Sequence, residues 1–76
     1  MKFKVGDKVL YVGPDWEAYE GHYGVIVKCK PGFNYNVNWY RIDWNKYVIT
    51  TSEHMTELVN MKQHMRNHTL RNLLKE

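Results

Sequence analysis

Cysteine occurs once in this chain of 76 residues, as Cys29, so no internal disulfide can staple the fold and no cysteine-pair metal knuckle is written in it. Proline is also scarce, at two residues, which excludes the composition of a proline-rich linker. Long apolar runs are missing: the longest, residues 9–12 and 25–27, fall far short of the roughly 18 residues a membrane helix needs. Lys2, Lys4 and Asp7 interrupt the start of the chain, so a cytoplasmic protein without a signal peptide is expected. Catalytic signatures are absent as well. No Ser/His/Asp or Cys/His arrangement, phosphate-cradling glycine loop or suggestively spaced carboxylate pair stands in the sequence. A chain this short buries only about 60% of its unfolded surface, which leaves little room for a deep catalytic cavity. A non-enzymatic protein without cofactor or metal is expected.

What is present is a folded composition, 43% hydrophobic and 25% charged, with a net charge of +3. That balance permits a nucleic-acid partner without demanding one, because no block of like charge forms a stripe. Three Trp, six Tyr and two Phe all lie in the first 47 residues, and nothing aromatic follows. Aromatic and β-branched enrichment between short turn segments reads as β-structure, whereas the tail, rich in Met, Leu, Gln, Lys and Arg, reads as helix.

The pattern predicts five short strands. Residues 8–12 make the first, ended by Gly13-Pro14-Asp15, and residues 23–30 the second, closed by the Pro31-Gly32 turn. Residues 35–40 alternate cleanly, with Tyr35, Val37 and Trp39 on one face and Asn36 and Asn38 on the other. A hairpin around residues 41–45 leads to a fourth strand at 46–51. A single helical turn at 52–55 and a last strand at 56–59 complete the set. Strands this short suggest a small, bent barrel, since closure removes exposed edges. The first strand is apolar on both faces, Val9 and Tyr11 on one, Leu10 and Val12 on the other. It therefore needs cover on both. With Asn60 as N-cap, a helix over residues 61–75 carrying Met61, Met65, Leu70, Leu73 and Leu74 would supply it. The expected organisation is a mainly β domain over residues 1–59 and a C-terminal α-helix within 60–76, docked on it.

Val5-Gly6-Asp7-Lys8-Val9 followed by Gly13-Pro14, then Gly21-His22-Tyr23-Gly24-Val25-Ile26, resembles the KOW pattern of the SH3-like barrel superfamily, which is similar in layout to Tudor-type barrels. The resemblance covers about residues 3–59. It implies a five-stranded SH3-like barrel and a binding role in nucleic-acid or nucleoprotein machinery. One departure stands out: the loop between the first two strands reads Asp15-Trp16-Glu17-Ala18-Tyr19-Glu20, three acids and no base, where ribosomal KOW modules place Lys and Arg.

Two readings follow. For nucleic acid, Lys28, Lys30, Arg41 and Lys46 are candidates for phosphate contact, with Tyr40 and Trp44 for base stacking. For a protein partner, as in a small phage- or plasmid-type regulator, Trp16, Tyr19, Tyr23 and Trp44 are the candidate anchors, joined by the C-terminal helix. His64 and His68 have helical i, i+4 spacing but no third ligand, so they read as surface histidines, and Cys29 reads as packing within an apolar strand.

Overall fold

A computed structural model describes residues 2–64. It contains five antiparallel strands: β1 (Lys8–Tyr11), β2 (His22–Lys30), β3 (Asn34–Arg41), β4 (Lys46–His54) and β5 (Leu58–Asn60). Two 3-10 turns, Trp16–Tyr19 and Met55–Glu57, interrupt them. The strand order is β4-β3-β2-β1-β5, so β2, β3 and β4 form a meander and the first strand pairs with the last. This small five-stranded antiparallel fold, followed by a short helical segment, is compatible with an SH3-like architecture. The expected closure does not occur. The sheet stays open, with β4 and β5 as its edges.

Turn chemistry fixes the meander. Gly32 (φ 75°) takes the left-handed backbone conformation that closes the β2–β3 hairpin, and Phe33 (φ 61°) continues it. The Asn34 amide ties the turn by donating to the Pro31 carbonyl at 3.1 Å. At the β3–β4 hairpin, Asn45 (φ 51°) supplies the left-handed residue, a role its short polar side chain tolerates.

The core lies on the inner face of this bent sheet. Tyr35, Val37 and Trp39 from β3 are buried with Val9, Ile26 and Leu58, as the alternation in β3 requires. Trp39 is 1% exposed and its indole N–H donates to Thr51 Oγ1 at 2.7 Å, so the buried ring leaves no polar group unpaired. Gly24, opposite Trp39 in the register, makes the packing possible: a Cβ there would strike Val37 and sit 3.0 Å from the indole. Phe3 closes one end, edge-on to Tyr35 with ring centroids 5.4 Å apart, and its backbone N–H donates to the Tyr35 hydroxyl.

Three sequence expectations need correction or restriction. The late helical turn falls at Met55–Glu57, three residues beyond the predicted start, because β4 runs on to His54. There a capping box takes over: the His54 ring accepts from the Thr56 N–H, and the Glu57 carboxylate accepts from the His54 N–H. Leu10 is half-buried beside Trp16, Tyr19 and Ile42, so the β1–β2 loop shields it, while Val12 stays exposed. Asn60 does cap a helical turn over residues 61–64, accepting from the Gln63 N–H at 3.0 Å. The rest of the expected docked helix, Met65 onward, lies outside the described residues.

Truncating a large buried aromatic costs about 3–5 kcal/mol, a large share of a small domain's stability. Trp39→Ala is therefore expected to unfold the protein at room temperature or lower its melting point drastically. Trp44→Ala, at a position 72% exposed, should melt within a few degrees of the parent. Thermal melts followed by circular dichroism check both.

Candidate nucleic-acid interface on the outer sheet face

Strand pairing sorts the outward side chains into rows. Tyr23 lies opposite Tyr40, and Tyr40 opposite Tyr47. The next rows are Val25–Asn38–Thr50, Lys28–Asn36–Ser52 and Lys30–Asn34–His54. Two irregularities, at Val27 in β2 and Val48 in β4, shift the register and keep these residues on the outside along curved strands.

The tyrosine row is a packed aromatic platform. Tyr23 and Tyr40 stack with centroids 5.4 Å apart, and Tyr47 meets Tyr40 edge-on at 5.9 Å. Hydrogen bonds hold its ends: the Tyr23 hydroxyl donates to the Asn45 side-chain oxygen Oδ1, and the Tyr47 hydroxyl pairs with Thr50 Oγ1 at 2.8 Å. Thr50 in turn donates to the Asn38 side-chain oxygen at 2.6 Å. Lys8 reaches over the Tyr23 ring at 5.7 Å, a cation–π contact at the β1 end of the platform. Lys28 is exposed, and the Lys30 ammonium donates to Ser52 Oγ at 3.4 Å. No carboxylate belongs to these four rows, so the face carries positive charge alone.

Tyr40, Lys28 and Lys30 thus share a face, whereas Lys46, paired with Arg41 one position before Tyr47, alternates to the other side of β4. Arg41 and Trp44 lie beyond it in the hairpin. Arg41 pairs with Asp43 (Nε to Oδ1, 3.2 Å) and covers the Trp44 ring at 5.3 Å. The paired guanidinium holds the Asp43 carboxyl below its ordinary value, and Arg41 is raised in return. Its charge is largely answered. Lys8, Tyr47 and the three asparagines were not singled out from sequence. The spacing of Tyr40 and Tyr47 about the hairpin was the available signal, since a four-residue connection puts them opposite each other.

The candidate protein anchors separate. Trp16 is exposed and Tyr23 belongs to the platform. Tyr19 is half-buried, stacked on Tyr11 at 3.9 Å and edge-on to Trp39 at 4.9 Å, so its ring serves packing rather than an open surface. Its hydroxyl donates to Glu53 Oε1 at 3.3 Å. Glu53, 9% exposed, is the one buried charged residue among those described, and its Oε2 has no partner. Burial, reinforced by the nearby Glu57 charge, pushes its carboxyl up. Burial and the hydrogen bond it donates to Glu57 at 2.9 Å likewise push the Tyr11 hydroxyl up to about 12. No group of three or more His, Cys, Asp or Glu able to hold a metal stands together among the described residues, and His68 lies outside them. No helix described is long and apolar enough to cross a membrane.

No protein-family model, curated protein or solved structure matches this chain.

A carboxyl raised in the folded state favours folding below its unfolded value and loses that contribution as pH rises through the folded value. Ionised Glu53 therefore weakens the domain at neutral pH. Glu53→Gln keeps an acceptor for Tyr19 and removes the charge. It should melt higher than the parent at pH 7, with the gap shrinking as pH falls toward the ordinary carboxylate range. A parent and variant with parallel melting profiles from pH 4 to pH 7 would contradict the buried-charge account.

Proposed function

We propose that this chain is a non-enzymatic, KOW-like binding module of nucleic-acid or nucleoprotein machinery, taking single-stranded nucleic acid on the outer face of β2, β3 and β4. The observation that carries the reading is the tyrosine row Tyr23–Tyr40–Tyr47 sharing an acid-free face with Lys28 and Lys30. Aromatic rings stack on bases whatever their identity, and lysines along the same track neutralise phosphates. Asn34, Asn36 and Asn38, at half-exposed positions between them, offer amides that both donate and accept toward base edges. Each strand residue advances about 3.3 Å, so the path from Tyr40 to Asn34 spans about 20 Å, room for a few nucleotides. The acidic β1–β2 loop, which argues against phosphate where it stands, packs through Tyr19 against the inner side of the sheet. It lies away from this track.

Three lysines on this side, Lys8, Lys28 and Lys30, could each release a counterion. At about 0.7 per contact on a single strand, the slope of log affinity against log salt should lie near −2. Tyr47→Ala, exposed and outside the core, should weaken binding of a short single-stranded oligonucleotide by about tenfold while leaving the melt unchanged, as loss of one stacked base implies. Fluorescence anisotropy at several salt concentrations reads both. Salt-independent binding, or full affinity in Tyr47→Ala, would overturn the assignment.

A further inference from the structure

The two edges of the open sheet are unequal. β5 offers three residues, whereas β4 offers nine, Lys46–His54, with nothing paired beyond them among the described residues. Its run from Tyr47 to Ser52 holds no charge and no proline, the usual protections of a free edge. Tyr47, Val48 and Ile49 are each about half exposed. On the inner side a groove of about 220 Å³ separates β4 from the 3-10 turn Trp16–Tyr19, with Ala18 and Tyr19 on one wall and Val48, Ile49 and Thr51 on the other. A long, uncharged edge beside exposed apolar residues is a template for another strand.

The two ends of β4 carry opposite charges on one face. Lys46 is in register with Arg41 and Glu53 with Tyr35, and both positions belong to the inner side with Trp39. Among the described residues neither charge finds an opposite partner. Arg41, beside Lys46, is itself a cation and is held by Asp43. Glu53 has an oxygen without a hydrogen bond, and the charges acting on its carboxyl, those of Glu57 and Asp15, are negative too. Inward charges of this kind discourage pairing, because an incoming strand would bury them uncompensated. They admit only a strand that brings a cation opposite Glu53 and an acid opposite Lys46.

An antiparallel second copy meets that condition in one register. Residues directly opposite each other in an antiparallel pair share a face, so a two-fold pair must centre on a single residue. Centring on Ile49 would set Lys46 against Thr51, and centring on Thr51 would set Ile49 against Glu53. Centring on Thr50 sets Ile49 against the partner's Thr51. Val48 is the extra residue of the β4 irregularity, so the next inward pair is Lys46 with the partner's Glu53. The two Ile49 side chains then lie on the diagonal across the axis, near enough for contact.

We infer that two copies of this chain pair antiparallel along β4, about a two-fold axis at Thr50, with Lys46 of each copy against Glu53 of its partner. The contact joins the two sheets into one and removes the long free edge. On the outer face the same register sets Tyr47 opposite the partner's Ser52. The tyrosine row of one copy thereby runs on into the Ser52–Asn36–Lys28 row of the other. The pairing does not depend on nucleic acid, but it extends the outer track across the axis.

Sedimentation of the full-length protein over a range of concentrations tests the pairing, and backbone amide exchange locates it. The parent should form a dimer, with β4 amides gaining protection as the dimer fills. Ile49→Lys, at an exposed position, brings two cations together near the axis and should weaken the dimer at least about tenfold in a chain that stays folded. Lys46→Glu sets acid against acid and should weaken it about tenfold. In a Glu53→Gln background the same change should cost clearly less, a coupling that a purely local role for Lys46 would not produce. A parent still monomeric at about 0.1 mM, a dimer indifferent to Ile49→Lys, or equal effects of Lys46→Glu in both backgrounds would each overturn the inference. So would protection of the β4 edge in a monomer, since a segment of the same chain would then be the occupant. Growth into open-ended assemblies would overturn it too, because a two-fold contact closes.

Discussion

Trp39 can lie flat against β2 only because position 24 has no side chain. That gap above β2 lets the indole fill the inner face, and the other large rings arrange themselves around it. Tyr19 meets it edge-on at 4.9 Å and Tyr11 at 6.3 Å. Tyr11 and Tyr19 then stack on each other, which pins the β1–β2 loop across the sheet. The loop's acids are thereby held on the inner side, and the lysines of β2 are left on the other. Charge separation across the sheet is a consequence of core packing, since the same alternation that buries Trp39 turns Tyr40 outward.

The cost of this arrangement is concentrated in Glu53. It occupies an inward position opposite Tyr35, where an aliphatic residue would pack without penalty. One oxygen accepts from Tyr19 and the other has no partner. The hydroxyl bond links the loop to β4, so the carboxylate helps hold the groove wall in place even while its charge weakens the core. Buried polar groups that specify one arrangement at the expense of stability are known in other folds, and a loop with no buried residue of its own needs such a tether.

Much of the architecture was legible in the residues. The alternation of Tyr35, Val37 and Trp39 set the inner face, Pro31-Gly32 set the first hairpin, and Asn60 marked the start of a helical turn. The open sheet was not legible, because whether β4 finds a partner depends on curvature that no local pattern carries. The site was half legible. Lys28, Lys30 and Tyr40 could be singled out by residue type, but grouping Tyr23 and Tyr47 with them required the register across three strands. Tyr19 looked like a surface anchor because it sits in a polar loop. Only the tertiary stacking on Tyr11 reveals its structural work.

The pairing of β1 with β5 sets an order of assembly. Contacts from β2 to β4 link residues near one another in sequence, so that meander can form as soon as its hairpins close. Val9, Leu10 and Tyr11 instead pair with Asn60, Val59 and Leu58, some fifty positions away, and closing so long a loop delays the reward of those contacts. During synthesis the first strand must wait for the last. Until β5 emerges, Val9 is paired with β2 alone and Leu10 and Tyr11 have no partner strand, so the stretch most exposed to misassociation is the first of the five to be made.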